Sequence, residues 1–362
     1  VSPRRRALLA ALMAAPICSQ GQVQRGRPLE FPRDHGAHPD SRIEWWYATG
    51  WLRENDAAPL LGFQLTFFRS RTGLALGNTS RFAARQLLFA HGAITDVAAQ
   101  RHLHSSRVAR WSGSEDITLR ARASLQDTDV MLDGWQLVRQ TQAATPQYQA
   151  NLAADDFSLA LQLTRTQPLL LQGDAGYSRK GPQETQASHY LSEPQLNAGA
   201  NLGIGGRALQ AKGRAWLDHE WADELLHPDA VGWDWIGINL FDGSALTAFR
   251  LRRANGSVLW AGGSFRAPGR SPAVFAPEVV RFEAGRTWRS PSSNAQYPVE
   301  WQIETPAGRH TLRTLLDAQE LDSRATTGTI YWEGLSELLD AGGIRVGLGY
   351  LEMTGYAGRL QL

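Results

Sequence analysis

Cysteine is nearly absent: 362 residues contain one, Cys18. A single thiol permits no intrachain disulfide, so packing must supply the stability even in an oxidising compartment. Lysine is almost as scarce, with only Lys180 and Lys212, and the positive charge is carried by Arg. No run of about 18 apolar residues occurs, so no segment reads as a membrane-spanning helix. Nucleophile and cofactor signatures are missing too. There is no Gly-x-Ser-x-Gly elbow and no His-Glu-x-x-His, and Gly203-Ile204-Gly205-Gly206 does not open a recognisable helix. Dinucleotide or phosphate binding is therefore not expected.

Excess charge of either sign is lacking as well. Of 37 basic residues, Arg4, Arg5 and Arg6 sit in an N-terminal segment, leaving 34 against 35 acidic ones. A near-neutral body has no electrostatic footprint for nucleic acid.

Aromatics and glycine are what the chain does have: 13 Trp and 35 Gly, which suits a sheet protein with many turns. Short alternating apolar runs bounded by Gly, Asn, Asp or Pro dominate, as in Trp233 to Leu240, Leu246 to Arg252, Ser158 to Thr164 and Leu61 to Arg69. Asp242-Gly243 and Asn255-Gly256 supply the turns that tight hairpins need. The pattern predicts an all-β protein, with short helices at Arg81 to Leu88 and Leu335 to Leu339. Gly262 to Pro277 reads as a long irregular connection.

Residues 1–21 combine the arginine cluster with the apolar run Ala7 to Ala15, which is the layout of a signal peptide. Arg5-Arg6 loosely fits twin-arginine export, which implies a periplasmic or secreted protein. Ile17 occupies the position where a lipoprotein anchor at Cys18 would need a small residue. The charged, Pro-containing stretch Ala222 to Ala230 divides the remainder into domains at 22–221 and 222–362.

Chemistry-bearing residues are clustered. The run from Asp34 through His35, His38 and Asp40 leads into Arg42-Ile43-Glu44-Trp45-Trp46-Tyr47. On a strand, Arg42, Glu44 and Trp46 share one face and Ile43, Trp45 and Tyr47 the other. In Trp216-Leu217-Asp218-His219-Glu220-Trp221 the two carboxylates face together, and their proximity and burial would raise a pKa, as a general acid requires. Further clusters are Gly232-Trp233-Asp234-Trp235, Tyr331-Trp332-Glu333-Gly334 and Gly349 to Tyr356. His35, His38, Asp34, Asp40, Asp218 and His219 contain the ligand types of a metal site. Their loop spacing fits backbone-bonded histidines better, and no metal is expected. Each Trp taken alone is explained by core packing. The set is not, because acids and imidazoles recur beside the aromatics.

These segments resemble the carotenoid 1,2-hydratases and the related secreted lipocalin-like proteins of the AttH type. The likeness rests on Asp34 through Gly50, Trp216 to Trp221, Gly232 to Trp235, Tyr331 to Gly334 and Gly349 to Tyr356. Ala187 to Ser192 matches a more Tyr-rich family segment, with His189 replacing one Tyr beside Tyr190. The resemblance implies two consecutive lipocalin-like (calycin) β-barrels packed together, with an aromatic pocket near their interface. It also implies a hydrophobic, often isoprenoid, ligand and an association with an ABC-type transporter.

The expected function is binding of an apolar or lipid-like molecule and hydration of one of its C=C bonds without a cofactor. Asp218 or Glu220 would donate the proton, His219 or His38 would hold the protonation state, and Asp234 would position water. Trp45, Trp221, Trp233 and Trp235 would face the cation. His35, Arg42, Glu44, Trp46, Tyr47, Tyr190, Tyr331, Trp332 and Glu333 would complete the ligand site. The alternative is a non-catalytic periplasmic lipid carrier or chaperone working with the exporter. A hydrolase using water activated by Asp218, His219 and Glu220 ranks third.

Overall fold

A computed structural model describes residues 23–73, 80, 83–113, 116, 119–141, 145–224 and 226–359. The export segment, Cys18 and Arg5-Arg6 lie outside the described residues. The chain folds as antiparallel β throughout, and no α-helix occurs among the described residues.

Four long strands form a meander: β1 (Ile43–Arg53), β2 (Leu61–Arg71), β3 (Gln86–Asp96) and β4 (Arg101–Trp111). Shorter strands follow: β5 (Ala121–Ala123), β6 (Asp129–Leu132), β7 (Trp135–Gln140), β8 (Gln147–Ala153) and β9 (Phe157–Thr164). Then come β10 (Leu170–Leu171), β11 (Tyr177–Arg179) and the long hairpin β12 (Ala187–Ile204) with β13 (Arg207–Ala222). The main path runs β4-β3-β2-β1-β13-β12-β9-β8-β7-β6-β5, and its two ends meet, giving a nearly closed barrel. Alternation drives the closure: β9 buries Phe157, Leu159, Leu161 and Leu163 and exposes the residues between them.

The second sheet begins with β14 (Ala230–Leu240), β15 (Ala245–Arg253), β16 (Val258–Arg266), β17 (Ala273–Phe275) and β18 (Arg281–Ala284). A small hairpin, β19 (Thr287–Arg289) and β20 (Gln296–Pro298), stands apart from it. The sheet resumes with β21 (Glu300–Thr305), β22 (Gly308–Thr314), β23 (Glu320–Ser323), β24 (Thr329–Leu339) and β25 (Arg345–Met353). Its order is β17-β16-β15-β14-β25-β24-β22-β21-β18, with β23 beside β24.

Two helix expectations are corrected. Leu335 to Leu339 belongs to β24, and Gln86 to Leu88 to β3, while residues 81 and 82 lie outside the described residues. The cause is two-sided burial: β24 is buried from Tyr331 to Leu339, which erases the alternation that marks a half-buried strand. The connection expected over Gly262 to Pro277 is partly sheet, since β16 runs to Arg266 and β17 adds an edge strand.

Each sheet wraps its own apolar core, and a third cluster joins them through Tyr47, Trp216, Trp235, Phe249, Leu335 and Tyr350. Polar ties fix the junction. A bulge in β12 puts Gln195 at φ 58°, from which its N–H reaches Asn239 Oδ1 at 2.8 Å and its Nε2 donates to Ser244 O at 2.7 Å. His91 and the Tyr331 hydroxyl meet at 2.7 Å, and Thr95 donates to Gln319 at 2.9 Å. Tyr47, Trp216, Trp235, Phe249 and Tyr350, with Trp45 and Trp233 against them, thus sit on the outer faces by which the two sheets touch.

Candidate active site between the two sheets

Strand register decides which side chains meet. Trp45 pairs with Glu220 and Tyr47 with Asp218 across β1 and β13, while Trp46 pairs with His219 and Glu44 with Trp221. Directly paired residues share a face, so two different chemical sites form on opposite sides of one ribbon.

The side facing the second sheet is a pocket lined from both sheets. Trp45, Phe68, Phe89, Trp233, Trp235 and Phe249 give it an aromatic wall. Asp218, Glu220, Glu333 and Glu352 face into it, together with Lys180. Glu224 and Leu226, from the segment linking the sheets, border it as well.

The four acids differ in surroundings. Asp218 Oδ1 accepts from Ser192 Oγ at 2.5 Å and Trp216 Nε1 at 2.6 Å, and Oδ2 accepts from the Tyr190 hydroxyl at 2.7 Å. Trp235 Nε1 donates to that hydroxyl at 3.0 Å. Burial pushes the Asp218 carboxyl up to about 7 against the pull of its three donors. Glu220 is paired with Lys180, whose Nζ lies 3.0 Å from Oε1. Glu333 and Glu352 stand directly opposite each other on β24 and β25. Burial, then the charge of Glu352, holds Glu333 well above the usual carboxylate range. Burial also lifts Glu352 to about 7. The Tyr47 hydroxyl lies against Glu333, yet neither it nor Glu333 Oε1 has a well-aligned hydrogen bond among the described residues. An apolar chamber thus contains a carboxyl pair that retains a proton near neutral pH.

The opposite side of the ribbon is a closed ionic knot. Glu44 Oε2 accepts from Arg69 Nε at 2.8 Å, while Oε1 meets His38 Nδ1 at 2.7 Å and His219 Nε2 at 2.9 Å. His38 Nε2 reaches Asp34 Oδ1 at 3.0 Å. Arg69 is fully engaged, donating also to Gln86, His38 O and Ser41 O. Burial alone would raise Glu44, but Arg69, His38 and His219 keep its carboxyl well below the usual range. Trp221 stacks on His38 with ring centroids 3.7 Å apart, and Trp46 on His219 at 4.8 Å. Trp46 Nε1 donates to His35 O at 3.1 Å. His38, Glu44 and His219 have ligand atoms within 4.8 Å of one another. Those atoms already bond each other, and the adjacent guanidinium supplies the balancing charge that a cation would bring.

The geometry redistributes the expected site. Asp218, Glu220, Trp45, Tyr47, Tyr190, Trp233, Trp235 and Glu333 line the pocket, with Glu44 at its margin. His219, Trp46 and Trp221 do not join them, because the alternation of β1 and β13 turns them to the opposite side; His38 enters the knot from the loop before β1, and His35 sits in the turn Arg33–His35, its carbonyl accepting from Trp46 Nε1. His219 and His38 therefore hold Glu44, and neither hydrogen-bonds to Asp218 or Glu220. Asp234 is likewise corrected: it points into the second core, where Oδ2 meets Arg250 Nε at 2.7 Å and Arg252 Nε at 3.0 Å and Oδ1 accepts from Tyr356 at 2.9 Å. Trp332 also faces that core, donating to Asp317 O. Tyr331 lies at the sheet junction against His91, and Arg42 is exposed. Four important side chains were missed. Glu352 shares a strand face with Tyr350, a signal present in the sequence. Lys180, Arg69 and Phe249 carry no local signal and are recruited by pairing.

The sequence pattern of the AttH-like family matches residues 22–356. The chain belongs to the AttH-like family. A crystal structure from Nitrosomonas europaea, described as a candidate AttH, is 44% identical, covers 92% of this chain and 99% of its own, and superposes with a TM-score of 0.83. Kievitone hydratase from Nectria haematococca is 13% identical, with 94% and 97% covered and a TM-score of 0.69. CghA in a structure with Sch210972 is 12% identical, with 88% and 90% covered and a TM-score of 0.53. At those identities the last two share the fold alone: two lipocalin-like barrel sheets packed together. Comparison with curated protein sequences gives no match.

Proposed function

We propose that this AttH-like protein binds an apolar, unsaturated small molecule between its two sheets and adds water across one C=C bond. The observation that carries this reading is the cross-strand pair Glu333–Glu352 inside an aromatic chamber, where burial and mutual repulsion keep a proton. The proton donor is thus Glu333, in place of the Asp218 or Glu220 read from the sequence. Its proton passes to one alkene carbon, the π electrons form the new C–H bond, and a cation remains on the neighbouring carbon. The faces of Trp45, Trp233 and Trp235 stabilise that cation. A water oxygen attacks it, and the oxonium proton goes to the carboxylate of Asp218, whose pKa of about 7 suits a base at neutral pH. Return of that proton to Glu333 closes the cycle, with no redox change and no cofactor. The hydratase name of one fold relative is consistent with this chemistry.

The test uses protein purified from the compartment in which it matures. Native mass spectrometry identifies any bound lipid, and turnover of geraniol, farnesol and squalene is followed in ¹⁸O-water. Label entering the product supports hydration, and E333Q and D218N should then bind without turning over. Turnover undiminished in E333Q sinks the mechanism.

A second reading, a lipid carrier, is favoured by one feature: Glu220 is neutralised by Lys180, and Asp218 is saturated by three donors. A ligand recovered unchanged, together with acid variants that only lower melting temperature, would select it. Delivery to the periplasm through residues 1–21 and handover to an ABC-type exporter belong to that reading.

A further inference from the structure

Behind one wall of the pocket lies a second cavity. Trp260, Gly262 and Gly263 of β16 form its floor, and Val274 and Phe275 of β17 its side. The two cavities share two residues, Tyr190 and Phe249.

Those two residues are held differently. Tyr190 is fixed, since its hydroxyl donates to Asp218 at 2.7 Å and accepts from Trp235 at 3.0 Å. Phe249 has no polar tether. Its ring is bounded on one side by Lys180 Nζ, 4.3 Å from the centroid. On the other it covers Gly262, where an added Cβ would approach Phe249 Cζ to 2.8 Å. The ring thus rests directly on the glycine backbone, and a side chain at 262 could be accommodated only by moving the ring. Lys180 also bonds Glu220 and lies over the Tyr190 ring at 4.6 Å, which steadies the wall.

We propose that Phe249 is a length gate, and that the second cavity takes the apolar tail of the ligand whose head occupies the first. The inference rests on the reading that the inter-sheet pocket binds an apolar ligand. The occupant follows from continuity: the cavity abuts the pocket across the Phe249 ring, and Trp260, Phe275 and two glycines give it an apolar side, with Gln172, Ser178 and Thr247 also in its lining. Its charged pair, Arg25 with Asp174 at 3.2 Å, is satisfied and half-exposed. Trp260 is prepositioned to receive a chain, because Nε1 donates to Arg179 O at 3.0 Å and the Arg179 guanidinium lies over the indole at 4.9 Å.

The experiment is displacement of N-phenyl-1-naphthylamine by geraniol, farnesol and geranylgeraniol, three isoprenols of increasing length. The readout is the ratio of geranylgeraniol affinity to geraniol affinity. Removing the rotation cost in F249A should raise the ratio about tenfold, a change that one displaced rotamer can account for. In G262A the new methyl, 2.8 Å from the present position of the ring, should push the ring off its seat and raise the ratio as F249A does. W260A, which alters only the second cavity, should lower it, and F249L repeats the first test if F249A does not fold. Failure of every isoprenol to displace the dye from wild-type protein overturns the underlying reading and the gate with it. Displacement by all three with a ratio unmoved in F249A or F249L and in G262A overturns the gate alone.

Discussion

Replacing Glu352 by Gln should leave stability almost unchanged at acid pH and raise it at neutral pH. In the unfolded chain this carboxyl ionises near 4.5, and in the fold near 7, because it is buried. Between those values the native state keeps a proton that the unfolded chain has released. Stability is therefore greatest at the acid end, falls as pH rises through the window, and flattens above about 7. At about 1.4 kcal/mol per pH unit, the shift from 4.5 to about 7 corresponds to roughly 3 kcal/mol. For a folded unit of ~330 residues that is about 4–5 °C in melting temperature. Gln copies the protonated side chain and cannot ionise. E352Q should match wild type at about pH 5 and melt about 4–5 °C above it at about pH 8. Asp218, also raised to about 7, leaves part of the slope in the variant. Thermal melts followed by tryptophan fluorescence across this range provide the comparison. Parallel pH curves for the two proteins would refute the claim that the fold holds Glu352 protonated.

The knot on the opposite face should behave differently. E44Q strands the buried Arg69 and should cost ~3–5 kcal/mol in urea denaturation at neutral pH; a loss under 1 kcal/mol would show that Arg69 finds water or another acceptor. D234N should likewise destabilise, by ~3–5 kcal/mol, through Arg250 and Arg252, while dye and isoprenol affinities stay at the wild-type level. A D234N protein that folds normally but loses ligand would restore a site role to Asp234. H38A should lower melting temperature without shifting the pH dependence of turnover. A shifted pH profile would instead couple the knot to the pocket acids.

The all-β fold was legible in the sequence because most strands bury one face and so alternate, as β9 does. Alternation failed where both faces are covered, and so β24 was taken in part for a helix. The acids of Trp216 to Trp221 were recognisable for the same reason: Asp218 and Glu220 fall on one face whatever the partner strand. The same alternation puts His219 on the opposite face; what was not recoverable is its partner, since meeting Glu44 depends on the register of β1 against β13. His219 is adjacent to Asp218 in sequence, yet it works 175 positions away, on Glu44. Asp234 misled similarly, because its flanking tryptophans face the pocket and its own partners, Arg250 and Tyr356, lie on other segments.

The position of the chamber constrains what it can do. A lipocalin-like barrel ordinarily offers its interior to a ligand, but here Phe63, Leu65, Trp135 and Tyr148 fill the first interior and Trp301, Tyr297 and Met353 the second. The apolar ligand proposed above would therefore be buried at the junction. Neither half alone can assemble the proposed chemistry there: Asp218 and Tyr190 come from the first sheet, Glu333 and Glu352 from the second. A carboxyl pair standing on a single solvated sheet face would ionise and lose its proton-donating character. Docking of the first barrel through Tyr47, Trp216 and Gln195 is what removes water from that face. The acidity of the pocket is thus a property of the packed pair, and loosening the junction should lower the pKa of Glu333 before it unfolds either sheet.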